Sequence, residues 1–435
     1  MFKVKPLGAR AGNRKSMINY PRFYHIEQKF EAACEPDVAG AVRREIFSRD
    51  YSSRISPGQT VAVGVGSRGV KNLLEIAAAT TACLKEMGLK PFIMPAMGSH
   101  GAATGPGQKQ ILNDLGLTEE TVGCPIVSNM DVVSLGVIAN GAEVYLGRDA
   151  AQADHLVVIN RVKPHTAFRA EVESGLCKIL TVGCGKHQGA LNMHRFGLAE
   201  TITPSAKVIL EKKSVLFGLA ILENPREETH SLHLALPENF IETDAKLLVL
   251  AKEFLPQLPI DKLDILIVDE MGKNISGAGM DPNVVGFWRR DGGPRQPDFG
   301  TIIILDITPQ SHGNATGIGL AELTTKRVMD QVDFRATYTN VQTSGIWSSA
   351  KLPMPLEDDR TAFELALSKL PRPERARIAR IRNTLQLEEL WVSETLLPEL
   401  TENPRVVMDR EPFDLEFDPE GRIRPMDALF NKNRA

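Results

Sequence analysis

The feature that most constrains this chain is a pair of short apolar runs, each ending in a glycine-bracketed turn and joined by one amphipathic stretch. Thr60, Val61, Ala62, Val63, Gly64 and Val65 read as a buried strand, and Gly66, Ser67, Arg68 and Gly69 as the turn after it. Over 72–87, Leu73, Ile76, Ala77, Thr80 and Leu84 recur near helical spacing, and Gly88 marks the stop. Residues 91–94 form the next strand, followed by a turn of Gly98, Ser99, His100 and Gly101. A helical crossover between two strands makes those strands parallel. Further buried strands are expected at 155–160 and 218–222, and continuous apolar runs of parallel-strand type at 264–268 and 301–305. Helices are expected at 107–115, 317–332 and 360–370. The expectation is an α/β fold of two domains, with mainly parallel sheets flanked by helices and the active site in the interdomain cleft. Its parts are 1–258, 259–400, and a polar tail at 401–435 that packs back on the first domain.

Composition narrows the functional classes. The 435 residues carry 51 Lys and Arg against 54 Asp and Glu, a net charge of −3 without a basic block, which argues against nucleic acid as the main partner. No apolar run approaches the ~20 residues of a membrane helix, so no membrane is expected. Residues 1–6 lack the apolar core of a secretory signal. Five cysteines (Cys34, Cys83, Cys124, Cys177, Cys184), without a Cys-x-x-Cys pair, disfavour a disulfide framework, a zinc ribbon or a simple iron–sulfur site. A reducing, cytoplasmic location is expected.

Ligands of open parallel sheets bind beyond the carboxyl ends of the strands. Three such loops present Arg68, His100 and His165. Arg68 opens a helix, where free N–H groups and a guanidinium favour an anion; a surface turn is the plain alternative. Singly, each histidine is as readily a solvated loop residue as a base. Two at neighbouring strand ends, beside an arginine, point to acid–base work. Lys178 lies between Cys177 and Ile179, so its amine is either shielded for nucleophilic use or snorkels from a helix. Gly185 and Lys186 suggest a phosphate loop, but Leu180 and His187 break its pattern. The glycines at 313, 317 and 319 lack dinucleotide-binding spacing. His194 is a candidate metal ligand.

Ser67 and Arg68 after the first strand, Gly98, Ser99 and His100, Pro164 and His165, Ser174 and Gly175 leading to Lys178, and His194 sixteen residues beyond Lys178 form one pattern. In it the chain resembles the nickel-pincer-dependent hydroxyacid racemases and epimerases, whose founding type is lactate racemase. The resemblance is strongest from 62 to 194 and makes 1–258 the catalytic and cofactor domain. It implies nickel held by a pyridinium-3,5-bisthiocarboxylic acid mononucleotide. Lys178 would be its covalent tether, His194 the nickel ligand, and Ser67 and Arg68 cofactor-binding groups. His100 and His165 would be the acid–base pair in reversible hydride transfer, with Arg68 also contacting substrate.

The chain departs from that pattern at 166–173, which is longer and more polar than in the lactate enzymes. It departs again in the second-half loop 276–286, where Val285 and Gly286 replace a Tyr-Gln pair. Arg289 falls near the family's substrate-binding lysine. These changes favour a 2-hydroxy acid larger or more polar than lactate, such as a sugar acid. Implied partners are that acid and the proteins that make the cofactor; a homo-oligomer is left open. Rival readings are a dehydrogenase or lyase using another metal or nucleotide cofactor on this scaffold, and a non-catalytic small-molecule sensor.

Overall fold

The computed structural model describes residues 19–67, 70–409 and 411–426. In chain order the strands are β1 (Phe23–Gln28), β2 (Thr60–Val65), β3 (Lys90–Pro95), β4 (Val132–Val137), β5 (Glu143–Gly147), β6 (His155–Arg161), β7 (Val215–Glu223), β8 (Thr229–Ala235), β9 (Lys262–Val268), β10 (Asp298–Ile304), β11 (Leu323–Thr325), β12 (Met354–Leu356), β13 (Ile378–Ile381), β14 (Glu389–Ser393) and β15 (Val406–Met408). One sheet runs β3-β2-β6-β7-β8, parallel except for its last pair. The second runs β12-β11-β10-β9-β13-β14-β1-β15, parallel from β12 to β13 and antiparallel beyond. β4 and β5 form a small antiparallel pair. The fold is α/β with mainly parallel sheets flanked by helices. Among the described residues no helix is long and apolar enough to cross a membrane.

Period-two alternation sends β2 into two cores. Val61, Val63 and Val65 meet the helices Val38–Phe47 and Leu73–Glu86 on one face of the sheet. Ala62 meets Met94, Val158 and Leu180 on the other. β7 is buried along its full length, as a strand covered on both faces must be. Each fully buried Val, Leu or Ile here contributes about 1.5–3 kcal/mol through lost water contact.

The helix expected at 317–332 is interrupted. Ile318–Leu320 is a single tight turn, Leu323–Thr325 is strand β11, and the helix proper is Lys326–Asp330. Leu323 is paired with Ile303 on one side and Met354 on the other, and the Thr324 hydroxyl donates to the Ile304 carbonyl (2.9 Å). Two ladders outcompete the helical continuation of a β-branched segment.

Residues 23–28, although early in the chain, pair within the second sheet, and β15 of the tail pairs with them. The tail is also held by charge. Arg380, fully buried, makes a two-pronged contact with Asp269 (2.6 and 2.9 Å) and donates to the Arg424 carbonyl (2.8 Å). Burial pushes the Asp269 carboxyl up to about 6, against the pull of Arg380. Arg380→Met should cost about 3–5 kcal/mol by stranding that carboxylate. Urea unfolding at neutral pH measures this, and a loss below 1 kcal/mol would contradict it.

Candidate active site at the strand ends

The parallel register aligns three strand ends: Val65 of β2 pairs with Pro95 of β3 and Ile159 of β6. The chain leaves β2 for β3 on one side and later returns to place β6 on the other. The crevice between β2 and β6 is therefore the switch point where open sheets bind ligands. A cavity of about 390 Å³ lies there, lined by Ser67, His100 and His165 from the three loops, by Lys178 and His194, and from the second half by Lys273, Arg290 and Asn340. Arg161, Lys163, Lys178, Lys273 and Arg290 line it; among the described residues no carboxylate does.

His100 is placed by its backbone and one hydroxyl. The buried Gln108 amide donates to the carbonyls of Gly98 (2.9 Å) and His100 (3.3 Å). Gly101, at φ +64°, lies so close to Gly107 and Gln108 that a Cβ would meet their backbone at 2.5 Å. The ring Nδ1 contacts the Ser67 Oγ at 2.5 Å. A hydroxyl can donate or accept, so His100 keeps this partner in either neutral tautomer.

His165 is held differently. Its N–H donates to Glu173 (2.8 Å), whose buried carboxylate also receives Lys252 Nζ (2.8 Å). Phe168 lies against the ring with centroids 4.4 Å apart. The Ala167 N–H donates to Nδ1 (3.1 Å). An amide can only donate, so the neutral ring carries its proton on Nε2 while this contact lasts. Accepting a proton at Nε2 therefore requires release of Ala167.

Lys178 ends a short helix, Leu176–Lys178, that runs into a π-helical turn, Ile179–Gly183, and then into Lys186–Phe196, which carries His194. The free N–H groups at the start are capped from far along the chain: Asp244 accepts from Leu176 (2.8 Å) and Cys177 (2.7 Å). Only glycine fits before them, since Gly175 sits at φ +85° and a Cβ would come 2.1 Å from Asp244 Oδ1. Lys178 is half-buried. His194 is accessible from the cavity, yet the depth of the crevice, and next the Lys178 charge, lower its pKa below the ordinary imidazole range. Its neutral ring is the metal-ligating form.

The structure brings some of the expected residues together and leaves others apart. His100, His165, Lys178, His194 and Ser67 share one cavity. Arg68 lies outside the described residues. Arg289 does not line the cavity. Its nearly buried guanidinium pairs with Glu322 and donates to the carbonyls of Leu320 (2.9 Å) and Phe299. Its neighbour Arg290 lines the cavity instead, with Nε and Nη1 out of solvent and without hydrogen-bond partners. The short helix Trp288–Asp291 turns consecutive side chains apart, which the spacing alone did not resolve. His187 does not line the cavity, and Lys186 is fully buried with Nζ on the Pro95 carbonyl (2.6 Å), which excludes a phosphate-loop role. Gln108, Glu173 and Asp244 were missed, because their partners are distant or backbone groups with no sequence signature.

Burial raises the Asp244 pKa to about 7. Between roughly pH 4 and that value the folded protein holds a proton that the unfolded chain has released. Stability therefore falls as pH rises through this window and levels off above it. Asp244→Asn should flatten that slope in urea midpoints measured across the window; equal slopes in both proteins would contradict the assignment.

No family model and no curated protein matches the sequence. Among solved structures the chain is similar to the lactate racemase apoprotein from Thermoanaerobacterium thermosaccharolyticum, at 14% identity and a TM-score of 0.52, over 82% of this chain and 94% of that one. At that identity the likeness shows the fold: the chain has a lactate racemase-like α/β architecture.

Proposed function

We propose that the protein is a racemase or epimerase of a 2-hydroxy acid larger or more polar than lactate, working with a nickel-pincer mononucleotide. The observation that carries the reading is the assembly of His100, His165, Lys178 and His194 on one cavity whose charged lining, among the described residues, is entirely basic. In this reading the part of 1–258 that builds the first sheet is the catalytic and cofactor domain, and 259–400, joined in its sheet by β1 and by β15 of the tail, closes over it. The likeness to the lactate racemase apoprotein is consistent with it.

The residues fit the cofactor by their chemistry. Lys178 offers an amine at the cavity wall for covalent attachment, and His194 one imidazole kept neutral by its surroundings. Among the described residues no group of three or more His, Cys, Asp or Glu could hold a metal ion, so the cofactor would have to supply the remaining nickel donors. When bound, it supplies a reversible acceptor for the α-hydrogen as hydride.

The chain's own groups do the rest. Arg290, whose Nε and Nη1 are out of solvent and without hydrogen-bond partners, takes the substrate carboxylate in place of the expected Arg289. His100 takes or returns the hydroxyl proton through Nε2, with Ser67 reorienting to match its tautomer. His165 does so from the second strand end, donating from its present tautomer and accepting only after Ala167 lets go. Apolar Val70, Leu73, Ile159 and Ile346 limit water around the keto acid.

Co-expression with cofactor-making proteins followed by intact-mass and nickel analysis tests the assignment. Lys178→Ala should show unmodified mass, and His194→Ala should lose nickel while keeping its fold by circular dichroism. A cofactor mass still attached in Lys178→Ala would overturn the tether. At matched loading, His100→Ala and His165→Ala should each slow both directions by ~10²–10⁴-fold; near-normal rates would remove that histidine from the mechanism.

A further inference from the structure

The polar stretch 166–173, where the chain departs from the lactate enzymes, contains a residue that touches both halves of the molecule. Arg169 donates through Nη1 to the His165 carbonyl (2.9 Å). Its Nη2 meets the Asn283 Oδ1 in the second half, and its guanidinium stacks 3.8 Å over the Phe287 ring. Asn283 also reaches the His165 carbonyl through Nδ2 (3.5 Å), while its own side chain is held on Asp281 (2.7 Å). The amide of His165 thus depends on the first half alone, whereas its carbonyl depends on both halves. The N–H is fixed within the first half by buried Glu173. The C=O receives Arg169, which within the first half also lies 3.6 Å from the Glu173 carboxylate, and Asn283; the loop at 281–287 supplies Asn283 and the Phe287 ring on which the Arg169 guanidinium is seated.

We propose that Arg169 is a positioning residue that makes the alignment of His165 depend on contact between the two halves. Its side chain is 41% exposed, so a purely structural role would contribute little to stability. The guanidinium is suited to this work: two prongs bridge two acceptors, and the flat face packs on an aromatic ring. With the halves apart, the turn at 165–169 loses its outer anchor, and the ring that contacts Ala167 and Phe168 loses its set position. With the halves together, the same contacts place His165 against a substrate already enclosed. The proposal rests on His165 being an acid–base group for its catalytic meaning, but its geometric content does not.

Two measurements separate those parts. The first uses apoprotein with labelled histidines, of which the chain has nine, the His165 ring resonances being identified through His165→Gln. Arg169→Ala, Arg169→Lys, Asn283→Ala and Phe287→Leu should each move or broaden the His165 ring signals and leave those of His100 in place. Unchanged His165 signals in folded Arg169→Ala and Arg169→Lys would overturn the proposal. The second uses the cofactor-loaded enzyme. Arg169→Ala should lower kcat, by up to the order of 10²-fold, with KM changed much less. The double variant with Phe287→Leu should be little worse than Arg169→Ala alone. Multiplicative losses in the double variant, or a change confined to KM, would contradict the coupling. Shifted His165 signals without any racemisation would overturn the functional reading and leave the coupling standing.

Discussion

Everything at this site depends on parallel register. Because β2, β3 and β6 run the same way and end level, three loops that are distant in sequence emerge side by side, at the point where the strand order reverses. No single loop holds a catalytic constellation. Ser67 follows one strand, His100 the next and His165 the third. Slipping one strand by a single residue would turn its core side chains to the opposite face, and the two buried cores forbid that. The precision of the site is therefore inherited from hydrophobic packing, and the polar contacts refine it.

Those polar contacts share a pattern: buried groups hold the backbone around the candidate site residues. Gln108 fixes the His100 loop, Glu173 fixes the His165 amide, Asp244 caps the turn before Lys178, and Lys186 holds the Pro95 carbonyl at the end of β3. Each of these groups makes at least one bond to a main-chain atom, and Glu173 also pairs with the Lys252 side chain. The charged side chains that line the cavity among the described residues are all basic. Arg290 shows the consequence, a guanidinium partly out of water and short of partners, which an anionic ligand would complete.

Much of this was legible in the sequence, and the limits have physical causes. The runs at 60–65, 91–94 and 155–160, with the helix between the first two, carry strong local signals, so the strand ends and the loops bearing His100 and His165 could be placed directly. Lys178 and His194 stood out through the pattern of motifs. Pairing decided elsewhere what local preference could not: β11 interrupts an expected helix because two neighbours claim it, and β1 joins a sheet built mostly from the far end of the chain. Arg289 and Arg290 were indistinguishable in sequence, since one residue of helical rotation decides which meets the cavity and which is consumed by Glu322.

The most direct measurement follows one hydrogen atom. Cofactor-loaded protein would be given a panel of single-enantiomer 2-hydroxy acids deuterated at C2, including sugar acids, and the configuration and label of the product followed in ordinary water. The account predicts inversion of at least one acid with the deuterium retained at C2, because the α-hydrogen leaves and returns as hydride in a site that limits water. Inversion with deuterium lost to solvent, or no inversion by fully loaded protein, would contradict it.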